Sequence, residues 1–215
     1  MRKLILKIEM TVDGFVGGKN GEIDWMFAST DDEAANWIVE TIGNAGLHIM
    51  GRRTFNDMKN WWPYSTEVFA APMNEIPKAA FSRTGFADEG ATRAINDAAA
   101  ENETTQLKKQ ELIYKGDSWA NARLLTGDLS TEIKKLKLEP GKDIVAHGGA
   151  GFVQSLIELD LIDEYHLVIH PVVIGQGLSI FAAAPVPFKL ELVNVIPFKG
   201  GAVAHIYKRA EKQEC

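Results

Sequence analysis

The spacing of apolar residues divides the chain into short runs and longer periodic stretches. Runs that alternate or are wholly apolar predict strands at residues 3–10, 47–50, 77–81, 143–147 and 165–170. Apolar residues that recur every three or four positions predict helices at about 29–46, 51–60, 128–138 and 153–159. Strands that alternate with helices are typical of an α/β protein with a mostly parallel sheet.

The C-terminal part of the chain has a different pattern. Residues 188–196 and 202–207 both alternate between apolar and polar positions, and Gly200-Gly201 lies between them. Two alternating runs joined by a glycine pair predict an antiparallel hairpin. We therefore expect a mixed sheet that is parallel over most of its width and antiparallel at its C-terminal end.

A glycine-rich turn follows the strand at residues 143–147. Gly148, Gly149 and Gly151 leave backbone N–H groups unobstructed where the next helix begins. The partial positive charge of a helix N-terminus favours anions at such a place. The turn has two interpretations, which are a cradle for the phosphates of a cofactor and a tight strand-to-helix turn without a ligand.

Two other strands end in residues suited to anions. The strand at 47–50 is followed by a helix start with Gly51, Arg52, Arg53 and Thr54, and the strand at 77–81 is followed by Ser82 and Arg83. Arginine can bind phosphate through two parallel hydrogen bonds. Three junctions of this kind favour an extended dinucleotide as ligand over a set of solvated arginines beside a plain turn.

Candidate substrate contacts follow the first strand. Asp13 ends that strand, where open α/β sheets bind ligands, although an aspartate there can simply bond its own turn. Trp25 lies in an apolar loop that covers either a flat ligand ring or the core. Glu33 lies in a helix first turn, where it stabilises the helix dipole or faces the substrate. Asp13 and Glu33 are the candidate catalytic residues, and the candidate substrate contacts are Asp13, Trp25 and Trp37.

Composition narrows the function classes. The 215 residues are 46% apolar and 24% charged, which is typical of a globular domain. The net charge of −6 argues against general nucleic-acid binding, which needs a basic surface. The single cysteine, Cys215, fits a reducing compartment and provides no cysteine-based zinc site. Because no apolar stretch suits a signal peptide or a membrane span, we expect a cytoplasmic protein without a membrane partner.

One stretch has no readable period. Residues 85–116 are rich in alanine and polar residues, and we interpret them as an insertion within a single domain of residues 1–215, with a strand candidate at 112–114. No metal site is expected, because the histidines do not have the spacing of metal ligands. No Ser-His-Asp hydrolase is indicated either, because no Gly-x-Ser-x-Gly elbow is present. The histidines considered are His147, His166, His170 and His205.

Taken in order, these landmarks resemble the dihydrofolate reductase superfold. They are most similar to single-domain proteins related to the reductase (C-terminal) domain of the bifunctional riboflavin-biosynthesis enzyme. The matching segments are Thr11–Phe15, Ile49–Phe55, Phe81–Thr84, Gly148–Gly151, and Asp163–Tyr165 leading to Pro171–Gly177. The sequence lacks the deaminase domain and its zinc motif, and Ala150 stands where three consecutive glycines are common. These departures leave the substrate open.

The resemblance implies a three-layer α/β/α fold, a homodimer and NADPH as cofactor. It implies that Arg52, Arg53 and Thr54 hold the cofactor phosphates and that Ser82 and Arg83 flank the adenosine 2′-phosphate. The pyrophosphate would meet the helix start formed by Gly148, Gly149, Ala150, Gly151 and Phe152.

The implied activity is hydride transfer from NADPH to a C=N or C=O bond of a small molecule. The substrate class is a small heterocycle or a ribosylamino-pyrimidine-like compound, as for 5-amino-6-(5-phosphoribosylamino)uracil reductases or dihydrofolate reductases. The alternative is a dimeric nucleotide- or phosphate-binding module that keeps the fold and reduces nothing.

Overall fold

The computed structural model describes residues 1–86 and 118–210. The predicted insertion at 85–116 lies outside the described residues except for Gly85 and Phe86, and so does the strand predicted at 112–114. Both therefore stay predictions.

The described residues form a mixed sheet in the order β4-β3-β2-β5-β1-β6-β8-β7. Neighbouring strands from β4 to β6 are parallel, whereas β8 pairs antiparallel with both β6 and β7. This confirms the prediction of a mostly parallel sheet with an antiparallel C-terminal hairpin. The strands are β1 (Leu4–Thr11), β2 (Leu47–Gly51), β3 (Lys78–Phe81), β4 (Arg123–Leu125), β5 (Ile144–Ala146), β6 (Glu164–His170), β7 (Leu190–Pro197) and β8 (Val203–Arg209).

Helices cover both faces of the sheet, so the three-layer prediction is also confirmed. Apolar residues of α1, α2 and α3 pack together on one face, and those of α4 and α5 pack on the other. The helices are α1 (Asp32–Gly43), α2 (Arg52–Lys59), α3 (Ala70–Glu75), α4 (Leu129–Leu138) and α5 (Ala150–Glu158). Short 3₁₀ helices occupy Asp24–Ser29, Trp62–Tyr64 and Phe181–Ala183.

Alternate side chains of the central strand β1 point to the two helix layers on opposite faces of the sheet. Leu4, Leu6, Ile8 and Met10 are buried, and they belong to the same cluster as the apolar residues of α4 and α5. The intervening side chains point to the opposite face, because successive residues of a strand alternate. Two of these intervening residues, Lys7 and Glu9, are charged.

Two neighbouring strands, β2 and β5, send their chains to opposite faces of the sheet. They pair in parallel with Ile49 opposite Ala146. The helix after β2 lies in the α1–α3 layer, and the helix after β5 lies in the α4–α5 layer. Open α/β sheets bind ligands in the crevice that such a divergence leaves at the carboxyl ends of the strands. The turns after β2 and β5 are therefore the expected position of a bound ligand.

The first helix begins at Asp32, within the segment that the sequence pattern predicts for its start. Residues 24–29 form a separate 3₁₀ helix, and Asp31 is the residue that caps α1. Its carboxylate accepts the backbone N–H of Ala34 at 2.8 Å. The predicted start segment, residues 29–33, contains this cap, but the pattern did not single out Asp31, because several residues in the segment can cap a helix.

Within residues 1–86 and 118–210, no helix is long and apolar enough to span a membrane.

A buried lysine introduces a pH dependence into the fold. Lys78 is 1% exposed at the start of β3. Its ammonium group donates to the Ile76 carbonyl and lies 4.8 Å from the centroid of the Trp119 ring. Burial lowers the pKa of Lys78 from 10.5 to about 7.

The unfolded chain therefore binds a proton at Lys78 over a pH range in which the folded chain does not. Stability should rise as the pH increases from about 7 toward 10.5. Lys78→Met should flatten this rise between about pH 7 and pH 9, measured by urea unfolding. The exposed Lys142→Met is the control, and equal pH dependence in both variants would contradict the assignment.

Candidate cofactor-binding site

The carboxyl ends of β2, β3 and β5 meet around Phe152, in the first turn of α5. A Cβ atom added at Gly51 would lie 2.9 Å from Phe152 Cβ, which is too close for any residue but glycine without a shift. The rings of Phe81 and Phe152 are stacked with centroids 5.3 Å apart. A Cβ at Gly149 would lie 3.0 Å from the Thr54 hydroxyl oxygen. The structure thus brings together the three junctions that the sequence singled out.

The two helices that begin at this edge have no side-chain cap. Neither Gly51, before α2, nor Gly149, before α5, can supply one. By contrast, α1 and α4 are capped by the carboxylates of Asp31 and Asp128. An uncapped helix start leaves backbone N–H groups for another acceptor. Both starts are therefore suited to phosphate oxygens.

Space for a ligand is present at the α5 start. A Cβ atom added at Gly148 or Gly151 would meet no other atom within 4 Å. Gly151 is exposed, whereas Gly148, Gly149 and Ala150 are partly buried. The peptide bond between Gly148 and Gly149 is cis. An extended phosphate group can approach this backbone without meeting a side chain, so the residues present fit the pyrophosphate of a dinucleotide.

Positive charge follows the two strands on one side of the glycine turn, β2 and β3. Arg53 and Arg83 are exposed, and Arg52 is partly buried. The Ser82 hydroxyl donates to the Gly85 carbonyl at 2.5 Å and so shapes the turn after β3. Exposed arginines can reorient toward a phosphate, while Ser82 is already engaged within its own turn.

Asp13 holds two loops together at the end of β1. Its carboxylate accepts the backbone N–H groups of Gly175 at 2.8 Å and Ile174 at 3.2 Å. A hydrogen bond from Thr11, followed by those from Gly175 and Ile174, lowers the pKa of Asp13. The carboxylate is therefore charged near neutral pH and acts as an acceptor. The structure gives it a loop-binding role that the sequence did not reveal.

The same two loops are joined by backbone hydrogen bonds. Val12 N–H donates to Val172 at 3.1 Å, and Val16 N–H donates to Leu178 at 2.8 Å. A Cβ atom at Gly177 would lie 2.2 Å from the Gly17 carbonyl oxygen, so this close approach requires glycine. The segments 12–17 and 171–178 form one connected wall at the carboxyl edge, which we call the paired loops.

The other candidate substrate contacts have partners of their own. Glu33 is half-exposed and pairs with Lys199 in the β7–β8 turn. Trp37 packs against Phe198, with ring centroids 6.0 Å apart, and also contacts His166. Trp25 meets the ring of His170 edge-on at 5.4 Å. Because His170 ends β6, Trp25 lies at the carboxyl edge. The Glu33–Lys199 pair lies near the same end of β6, since Val203 at the start of β8 is opposite Ile169. Trp37 contacts β6 further back, at His166.

Sequence reasoning missed a buried polar network beside this edge. His170 bonds Glu9 through one ring nitrogen and Ser29 through the other, both at 2.7 Å. Burial would raise the pKa of Glu9, but the charge of Lys7 and the hydrogen bonds outweigh it, so the pKa is lowered. The available signal was the pair of charged residues on an otherwise apolar strand, which need partners when buried.

Two further histidines are buried without complete hydrogen bonding. The rings of His48 and His147 meet at 4.6 Å, and within the described residues His48 Nδ1 and His147 Nε2 have no hydrogen-bond partner. Burial lowers the pKa of His48 to about 3 and that of His147 well below its ordinary value. Both rings are therefore neutral. No group of three or more potential metal ligands occurs among residues 1–86 and 118–210.

The chain belongs to the RibD C-terminal domain family, whose model matches residues 2–204. The resemblance stated from the sequence is thereby confirmed. A similar protein is YyaP of Bacillus subtilis (strain 168), which is uncharacterized. It is 30% identical over 213 residues, and the match covers 96% of this chain and 94% of YyaP.

Two solved structures share the fold. A pyrimidine reductase-like protein from Corynebacterium diphtheriae has a TM-score of 0.65 at 16% identity, with 98% of this chain and 93% of that chain covered. The dihydrofolate reductase of Enterococcus faecalis, complexed with NADP(H) and RAB-propyl, has a TM-score of 0.55 at 11% identity, with 97% of each chain covered. The predicted dihydrofolate reductase-like fold is confirmed.

The close approach at Gly51 can be tested by a matched pair of substitutions. Gly51 has a φ of −72°, which any residue can adopt, so Gly51→Ala tests only the contact with Phe152. Overpacking of this kind should destabilise the fold by about 1–3 kcal/mol. Gly151→Ala adds the same methyl group in open space. It should be neutral or stabilise α5 by up to about 1 kcal/mol, since alanine favours helix over glycine.

Urea unfolding of the two variants and the unchanged protein measures this difference. A Gly51→Ala protein that is as stable as the unchanged protein would show that the Gly51 contact can relax, and the packing argument would then be wrong.

Proposed function

We propose that this protein is an NADPH-dependent reductase that transfers hydride to a C=N or C=O bond of a small heterocyclic or ribosylamino-pyrimidine-like substrate. The observation that carries the proposal is the pair of uncapped helix starts where β2 and β5 diverge, together with exposed arginines after β2 and after the next strand, β3. Membership of the RibD C-terminal domain family supports a pyrimidine reductase-like activity.

The cofactor phosphates divide among the three junctions. The N–H groups at the α5 start, from Gly149 to Gly151, bind the pyrophosphate, because no side chain caps this start and the space beside Gly148 and Gly151 is open. Thr54 and the arginines at the α2 start add donors on one side. Arg83, which follows the next strand β3, takes the adenosine 2′-phosphate, where its exposure permits two parallel hydrogen bonds.

A bound reduced nicotinamide supplies the hydride. The chain itself must orient the substrate and exclude water. Asp13 is suited to orienting the site rather than to giving a proton, because its pKa is lowered and its carboxylate accepts hydrogen bonds. Water is the proton donor in this scheme, since general acid catalysis does not require a side chain.

A non-catalytic nucleotide-binding module is the second candidate. It is favoured by one observation, which is that Asp13 and Glu33 both have protein partners. The two candidates differ in one measurement, because only a reductase oxidises NADPH when a pterin, folate or ribosylamino-pyrimidine is added. Homodimer assembly and a cytoplasmic location stay predictions under either candidate.

Cofactor choice can be tested with single arginine substitutions. Arg83→Ala should weaken NADPH binding by about tenfold or more and leave NADH nearly unchanged, because only NADPH has the 2′-phosphate. Arg53→Ala should weaken both cofactors, because both carry the pyrophosphate. Titrations that follow nicotinamide fluorescence give the dissociation constants.

The control is Arg123→Ala. This exposed arginine lies on the outer strand β4 and pairs with Glu139. The substitution should leave both affinities unchanged. Absence of saturable binding of either cofactor to the unchanged protein would overturn the proposal. Equal losses for NADPH and NADH in Arg83→Ala would instead reassign that arginine.

A further inference from the structure

A chain of buried hydrogen bonds joins β1, β6 and the 3₁₀ helix Asp24–Ser29. His170 is 1% exposed, and its Nε2 lies 2.7 Å from Glu9 Oε2. Its Nδ1 lies 2.7 Å from the Ser29 hydroxyl oxygen. Lys7 pairs with the other oxygen of Glu9. Both nitrogens of the His170 ring are therefore engaged, and the ring is fixed from two sides.

The direction of these hydrogen bonds follows from the groups involved. The carboxylate of Glu9 only accepts, so the proton between the two groups belongs to His170 Nε2. In the neutral ring, Nδ1 is then an acceptor for the Ser29 hydroxyl. In either direction, Ser29 bonds a ring that cannot turn without breaking its bond to β1.

His170 also contacts the tryptophan carried by the same 3₁₀ helix. The rings of Trp25 and His170 meet edge-on with centroids 5.4 Å apart and an interplanar angle of 76°. His170 is the last residue of β6 and lies opposite Thr11, the last residue of β1. One side chain thus fixes both the end of the 3₁₀ helix and its aromatic residue at the carboxyl edge.

The order serine, histidine, glutamate invites comparison with a nucleophilic triad. Ser29 is only 5% exposed, so its hydroxyl is not presented to a substrate. Apolar side chains could pack this helix end at a lower desolvation cost than a carboxylate, a lysine and an imidazole. The hydrogen bonds of Glu9, His170 and Ser29 instead fix the orientation of the helix end, because hydrogen bonds are directional whereas apolar contacts allow several arrangements.

We propose that His170 is a positioning residue that clamps the 3₁₀ helix Asp24–Ser29 so that Trp25 forms a wall of the nicotinamide end of the site. The wall role rests on the proposed function, whereas the clamp itself does not. The paired loops, held by Asp13, form the neighbouring wall at the end of β1. Two separate polar contacts therefore fix the two segments that border this end of the crevice.

Hydrogen–deuterium exchange of the backbone amides at residues 25–30 tests the clamp without any ligand. Ser29→Ala and His170→Asn should each speed exchange there by about tenfold or more, relative to β2 amides in the same sample. The control is His166→Asn, which breaks a similar 2.7 Å histidine–glutamate bond on the same strand, made to Glu164. It should leave exchange at 25–30 unchanged. Exchange that is unchanged in both Ser29→Ala and His170→Asn overturns the clamp.

Energy transfer from tryptophan to bound NADPH tests the wall. Trp25→Phe should reduce the transfer, and Ser29→Ala should reduce it while changing the NADPH dissociation constant by less than about threefold. Transfer that is unaffected by Trp25→Phe overturns the wall role. If the unchanged protein binds no NADPH, the proposed function and the wall role both fall, and the exchange experiment still decides the clamp.

Discussion

The close packing of two strand-to-helix turns is the constraint on which the candidate site depends. The chain leaves β2 for one face of the sheet and leaves β5 for the other, although these strands are neighbours. Gly51 and Gly149 let the turns approach Phe152 and Thr54 at distances that a Cβ atom would prevent. The glycines thereby place two helix starts side by side, and their partial positive charges act on one small region.

Charge is distributed over the helix starts in two different ways. Asp31 and Asp128 supply carboxylates to α1 and α4, so those starts are satisfied within the chain. The starts of α2 and α5 receive no such group. A protein with a net charge of −6 thus keeps a local region where an anion is favoured. The overall charge argued against general nucleic-acid binding but did not predict this local feature.

Much of the fold and the glycine and arginine junctions at the strand ends could be predicted because their signals are local. The strand periodicity and the glycines after β5 are features of consecutive residues. The helix α3 was missed because a long-range contact holds it, in which Trp119 donates to Asn74 at 2.9 Å. The His170 network was missed for the same reason, since Ser29 and His170 are 141 positions apart. The periodicity correctly predicted that Lys7 and Glu9 lie on a strand, but it does not reveal that Glu9 bonds His170.

The paired loops have a consequence for how the site can change. Residues 12–17 and 171–178 come from distant parts of the gene, yet Asp13 and the Gly17–Gly177 contact bind them into one structural unit. A substitution that alters the shape of one segment must be accommodated by the other. Exchanging a single segment between homologous proteins would therefore mismatch the wall, whereas exchanging both together preserves it. The two segments are therefore expected to change together during evolution, despite their separation in the sequence.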